Sequence, residues 1–99
     1  MEYEIGNPED EYFKVKASAD PLKLGSAIAH TITSGKNVVL KAIGAGAINQ
    51  AMKSVLIAKS FVAASGIRLL TDPFSFQGEV EDEGKPEKIQ GLAVRVFRA

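Results

Sequence analysis

KAIGAGAINQAMKSVLIAKSFVAASG, residues 41–66, is the stretch that decides the fold. Residues 38–43 are apolar and β-branched enough for a buried strand, Gly44 and Gly46 permit a tight turn, and residues 47–65 are good helix formers. Gly66 is placed to cap the helix at its C-terminus. Along the helix Ile48, Ala51, Met52, Val55, Ala58 or Lys59, and Val62 recur at three-to-four spacing and form the expected inward stripe. Asn49, Lys53 and Ser60 fall toward the other side.

Upstream, residues 12–17 alternate, with Phe13, Val15 and Ala17 on one side and Lys14 and Lys16 on the other, which predicts a half-buried strand. Asp20 followed by Pro21 reads as an N-cap with proline at the first helical position. Leu22, Leu24, Ile28, Ala29 and Ile32 then supply an apolar helix face up to Gly35. Residues 37–43 form the second strand. Downstream, residues 67–71 and 74–76 predict a third strand broken or bulged at Pro73, and residues 89–97 a fourth. The polar, acidic segment GEVEDEGKPEK between them predicts a mobile hairpin tip. Residues 1–11 form an acidic flexible tail and 12–99 a single domain. The expected fold class is α/β, in the form of an α+β two-layer sandwich: order β-α-β-α-β-β, with two helices on one face of a four-stranded sheet. The other sheet face must be solvated or covered by a partner, and Phe74, Phe76 and Phe97 are candidates for apolar surface near the sheet's end.

The segment IGAGAINQAMKSVLIAKSFVAASGIRLL resembles the signature of the stage V sporulation protein S family, small bacterial proteins with an Alba-like fold. A weaker match runs through FKVKASADP, so the resemblance covers residues 13–76. It implies the same β-α-β-α-β-β domain, dimer formation, and a nucleic-acid-binding or regulatory role in sporulation or development. Alba proteins are thought to hold nucleic acid with basic residues in the loop after the first strand, at the start of the second helix and on long hairpin arms. Carried onto this chain, that pattern points to Lys14, Lys16, Lys23, Lys41, Asn49, Gln50 and Lys53. The match is partial. The sporulation family's usual loop lysine is here Ser18 and a serine is here Asp20; residues 44–47 stand where Alba proteins carry arginines; and Glu79, Glu81, Asp82 and Glu83 make the hairpin acidic where Alba arms are basic. An acidic arm argues against Alba-like wrapping of DNA.

Composition limits the alternatives. The 99 residues, 45% of them hydrophobic, suffice for one core and not for two. No apolar run approaches the roughly 20 residues needed to cross a bilayer, and the N-terminus is acidic where a signal peptide would be basic and then apolar, so the expected location is the cytoplasm. Zero cysteines exclude disulfides, thiol catalysis and cysteine-held metals, and a single histidine, His30, excludes metal sites built on several imidazoles. No enzyme activity and no cofactor are expected: His30 lies in a helix pattern, and the carboxylates cluster on a loop expected to lack a rigid shell. The net charge is zero, yet it is segregated: residues 12–71 hold eight basic side chains against Asp20 alone, flanked by acidic segments. A basic body of that kind can offer phosphates a field that the overall balance conceals.

Two other functions fit the same residues. Gly44, Ala45, Gly46 and Ala47 place unpaired N–H groups at a helix start, where a phosphate could sit; equally, the small residues could simply let the helix pack closely on the sheet. Neither glycine-loop fingerprint is met there, so ATP hydrolysis is not expected. Alternatively, the chain is a protein-interaction or assembly module, docking a basic partner on its acidic segments. In either case a homodimer or higher homo-oligomer is expected, since two-fold dimers are the commonest oligomers.

Overall fold

The structure, a computed structural model, describes residues 9–99, and for residues 80–82 the backbone only. The order is β1 (Asp10–Val15), α1 (Pro21–Thr33), β2 (Asn37–Ala42), α2 (Ala45–Ala63), β3 (Leu69–Asp82) and β4 (Lys85–Arg98). The four strands form one mixed sheet in the order β1-β2-β4-β3. β1 runs parallel to β2, and β4 lies antiparallel to both β2 and β3. α2 is therefore a crossover between two parallel strands that are not neighbours, with β4 inserted between them.

Local chemistry explains the helix limits. The Asp20 carboxylate accepts from Leu22 N at 2.9 Å and Pro21 opens α1. Gly35 and Gly66 adopt positive φ, 98° and 73°, just past the two helices. The bonds Lys36 N to Thr31 O and Gly35 N to Ile32 O close α1, and Ile67 N to Val62 O with Gly66 N to Ala63 O close α2 in the same pattern. Both are Schellman caps, which need a residue with left-handed backbone at that point.

Both helices cover one sheet face. The core joins Ile28 and Ile32 of α1, Ala47, Ala51, Val55, Ala58 and Val62 of α2, and Val15, Val38, Leu40, Ala42, Leu69, Val94 and Val96 of the sheet. α1 and α2 touch at Gly25, where an added Cβ would lie 2.8 Å from Ile57 Cβ and 3.0 Å from Ser54 O. The expected stripes are partly corrected: Leu22 and Met52 are exposed, and buried Ser54 takes a place in the seam by donating to Ala51 O at 2.6 Å.

Several strand boundaries differ from the sequence reading. β1 starts at Asp10 rather than at residue 12, so two residues assigned to the tail belong to the sheet; residues 1–8 of that tail lie outside the described residues. The β1 ladder ends at Val15, and Ala19 N to Lys16 O turns the chain toward α1. The expected hairpin tip is instead paired throughout, from Leu69↔Arg98 to Asp82↔Lys85. The turn is only Glu83 and Gly84, with φ of 52° and 77°, the pair of positive values that a two-residue type I′ connection demands. Pro73 does not break β3, because β3 is an edge strand and its missing donor costs no ladder bond.

Candidate nucleic-acid interface

The ladder registers define what stands on the sheet face opposite the helices. On β1 these are Asp10, Tyr12 and Lys14; on β2, Val39 and Lys41; on β4, Ala93, Arg95 and Phe97; on β3, Leu70, Asp72, Phe74 and Phe76. This face covers itself in part. Val39 and Ala93 are fully buried although they point away from the helices, and Phe74, Phe76 and Phe97 are half-buried. The three phenylalanines expected near the sheet's end thus all belong to this face.

Lys14 and Lys41 are direct partners in the parallel β1–β2 ladder, on the same side of the sheet. Like charges placed opposite each other destabilise a strand pair. Neither lysine has a carboxylate partner among the described residues. Lys41 is held by π-systems instead: its Nζ lies 5.7 Å from the Tyr12 ring centroid and 5.4 Å from that of Phe76. Lys16 follows at the end of β1. Together Tyr12, Lys14, Lys16, Lys41, Ile43 and Phe76 line a concavity of about 520 Å³, to which the base of the β3–β4 arm adds Gln77, Gly78 and Glu79. The concavity sits at the carboxyl ends of the parallel strands β1 and β2, where open α/β sheets commonly receive ligands.

Glycines fix its floor. An added Cβ at Gly91 would lie 2.6 and 2.7 Å from two carbons of the Phe76 ring and 2.9 Å from Ile43 Cγ1, and one at Gly78 2.9 Å from Ile43 Cδ1. Phe76 is therefore seated across the β4 backbone rather than standing off the sheet.

The other expected site residues lie around the same end of the molecule. Lys23 is exposed in the first turn of α1, directly after the β1–α1 loop. Asn49 and Lys53 are exposed on α2, Lys53 about 12 Å along the helix from its start. Gln50 is engaged structurally: its Nε2 donates to Ala19 O at 2.9 Å and ties the β1–α1 loop to α2. At the glycine turn Gly44 takes φ of 91° as N-cap with no side-chain cap bond, Ala45 begins α2, and Ala47 is in the core. Gly46 packs on the β1–α1 loop, where an added Cβ would lie 3.1 Å from Ala17 Cβ. A shallower hollow of about 300 Å³ near this turn is lined by Gly44, Ile48, Ser75, Gln90, Gly91 and Leu92, without a charged group.

Sequence reading missed Tyr12, Phe76, Gln77 and Glu79 as members of the lysine-bearing site, and it missed Asp10. The Asp10 side chain is fully buried, with Arg95 Nε 4.0 Å from Oδ1 and no hydrogen-bond donor on either oxygen. Arg95 also lies over the Phe97 ring at 4.6 Å. Only the alternation of β1 extended upstream to Asp10 could have signalled this pair. Elsewhere among the described residues His30 is exposed, no three acid, histidine or cysteine side chains gather as metal ligands, and no helix is long and apolar enough to cross a membrane.

The family model described as Stage V sporulation protein S (SpoVS) matches residues 11–96. Among solved structures, Alba from Thermoplasma volcanium superposes with a TM-score of 0.57 at 11% identity, over 89% of this chain and 100% of that one. Precorrin-6y C5,15-methyltransferase from Geobacter metallireducens GS-15 gives a TM-score of 0.47 at 11% identity, over 96% of this chain and 46% of that one.

Proposed function

This chain belongs to the stage V sporulation protein S family and has an Alba-like fold, and from that premise we propose that it is a cytoplasmic nucleic-acid-binding regulator acting in sporulation or a related developmental programme. The observation that carries the proposal is the pairing of Lys14 with Lys41 on one sheet face, with Lys16 beside them and no carboxylate partner for any of the three among the described residues. A like-charge pair costs stability in the free protein, and phosphate groups are what would offset that cost. Lys23, Asn49 and Lys53 extend the basic end over the helix layer. The role is one of binding rather than catalysis: the site offers ammonium groups, aromatic rings, one amide and one carboxylate, and no activated nucleophile.

Single strands suit this surface better than duplex. Aromatic rings beside lysines supply stacking as well as charge, whereas the β3–β4 arm carries Glu79 and Glu83 where a duplex-gripping arm would be basic. The test is fluorescence anisotropy with single-stranded and double-stranded DNA and with RNA across a salt series. For a single strand, the log–log slope should be about −2 per subunit if Lys14, Lys16 and Lys41 alone meet phosphates and about −3.5 if Lys23 and Lys53 join them. Absence of binding at low salt refutes the reading.

A homodimer is part of the proposal. Met52, Leu56 and Phe61 of α2 and Leu22 of α1 are exposed, Leu56 at 66%, which is a large apolar group to leave in water. A second copy would bury Met52 and Leu56, which lie one turn apart on the same side of α2, and double the phosphate contacts. Leu56→Glu should convert a dimer to a monomer in light scattering; an unchanged mass overturns this assignment.

A further inference from the structure

We propose that the concavity bounded by Tyr12, Lys41 and Phe76 is a built binding site for one nucleoside phosphate unit, with the base against Phe76 and Ile43 and the phosphates on Lys14, Lys16 and Lys41. The inference goes beyond the preceding one, which requires a basic surface with aromatic rings beside it and no enclosed site. It depends on the wall and floor of the cavity rather than on its charge alone.

The shape and chemistry of the lining select the ligand class. A volume of about 520 Å³ falls within the range of small-molecule sites and is too confined for a helix of nucleic acid. The lining is divided: Ile43, Phe76 and the Tyr12 ring present apolar and π surface, while Lys14 and Lys16 bring positive charge from the β1 side. The Phe76 ring packs into the space that the missing side chains at Gly91 and Gly78 leave, so it lies against the sheet as a wall of the site. Glu79 separates a nucleoside phosphate from a simple polyanion. Its carboxylate repels an all-phosphate ligand but can accept from ribose hydroxyls or an exocyclic amine, and Gln77 beside it can both donate and accept. Lys41, on a central strand and between two rings, joins the halves of the site: it can follow a phosphate without leaving the aromatic walls. A free nucleotide and the phosphorylated end of a strand share this chemistry.

The test is titration of the ¹⁵N-labelled full chain, at low salt, with ADP, adenosine, inorganic pyrophosphate and a 5′-phosphorylated tetranucleotide. ADP should perturb amides of residues 12–16, 41–43 and 76–79, and should bind at least about ten-fold more tightly than adenosine or pyrophosphate, since each half holds only part of the site. Lys41→Met should weaken ADP about ten-fold, as loss of a charge-assisted contact would. It should melt no lower than the wild type, because it relieves the like-charge pair. Phe76→Leu should weaken ADP and adenosine and leave pyrophosphate unchanged; if that variant fails to fold, Lys14→Gln takes its place, with ADP and pyrophosphate both weakened and adenosine unchanged. No ADP binding, pyrophosphate binding as tightly as ADP, or perturbations confined to other residues would overturn the site. A tetranucleotide that binds more tightly than ADP assigns the unit to a strand end, and one that binds more weakly assigns it to a free nucleotide. A chain that binds ADP here but no long DNA or RNA keeps this site and loses the preceding reading. Long strands held in a salt-sensitive way by a chain that shows no ADP binding do the reverse.

Discussion

Gly25→Ala probes the contact on which the helix layer depends. In an isolated helix this substitution stabilises by about 1 kcal/mol, because alanine loses less backbone entropy than glycine. Here the new Cβ would lie 2.6 Å from Ile57 Cγ2, 2.8 Å from Ile57 Cβ and 3.0 Å from Ser54 O. Two of these atoms cannot be relieved by a rotamer change: a β-branched Cβ moves only with its backbone, and the carbonyl is backbone. α1 must therefore retreat from α2 and loosen the packing of Ile28 and Ile32, which are fully buried. Overpacking of this severity lies at the upper end of the usual range, about 3 kcal/mol. Subtracting the propensity gain leaves about 2 kcal/mol of net destabilisation, equivalent to a fall in Tm of about 8–16 °C for a domain of this size. Thermal unfolding followed by far-UV circular dichroism reads the effect, with Ser26→Ala as the control, since Ser26 is the exposed neighbour and should melt at or slightly above the wild type. A Gly25→Ala variant that melts at or above the wild type would refute the close helix contact.

Arg95→Met should cost about 3 kcal/mol, because it strands the fully buried Asp10 carboxylate without its cation, while Asp10→Asn/Arg95→Met should recover most of the loss. Urea unfolding of the single and double variants checks this, and equal midpoints for both would disprove the coupling. Gln50→Ala should cost about 1 kcal/mol and speed hydrogen exchange in residues 17–19, since its amide holds Ala19 O; exchange unaltered in that loop would count against a structural role for the side chain.

Much of the scaffold is legible in single residues. Asp20 and Pro21 announce the start of α1, Gly35 and Gly66 mark both helix ends, and the alternation Phe13, Val15 against Lys14 assigns the faces of β1. The β3–β4 arm is less legible. Its acidic, proline-bearing composition resembles a loop, yet pairing is licensed by the Glu83–Gly84 turn and by opposite charges such as Glu79 facing Lys88 in register. The site residues divide along the same line. Lys14, Lys16 and Lys41 carry a charge signal that composition exposes, whereas Tyr12, Phe76 and Glu79 have no local signal that links them to those lysines.

The sequence by itself determined the order of elements, the caps, most of the inward faces and the exclusion of thiol and multi-histidine chemistry, because each follows from local backbone preference, periodicity or residue type. Only the tertiary structure decided that β4 enters between β2 and β3, that Lys14 stands opposite Lys41, and that Phe76 lies across Gly91 into the same concavity. Strand order and register are set by pairing between segments far apart in the chain, and periodicity within any one segment carries no information about which neighbour it will meet.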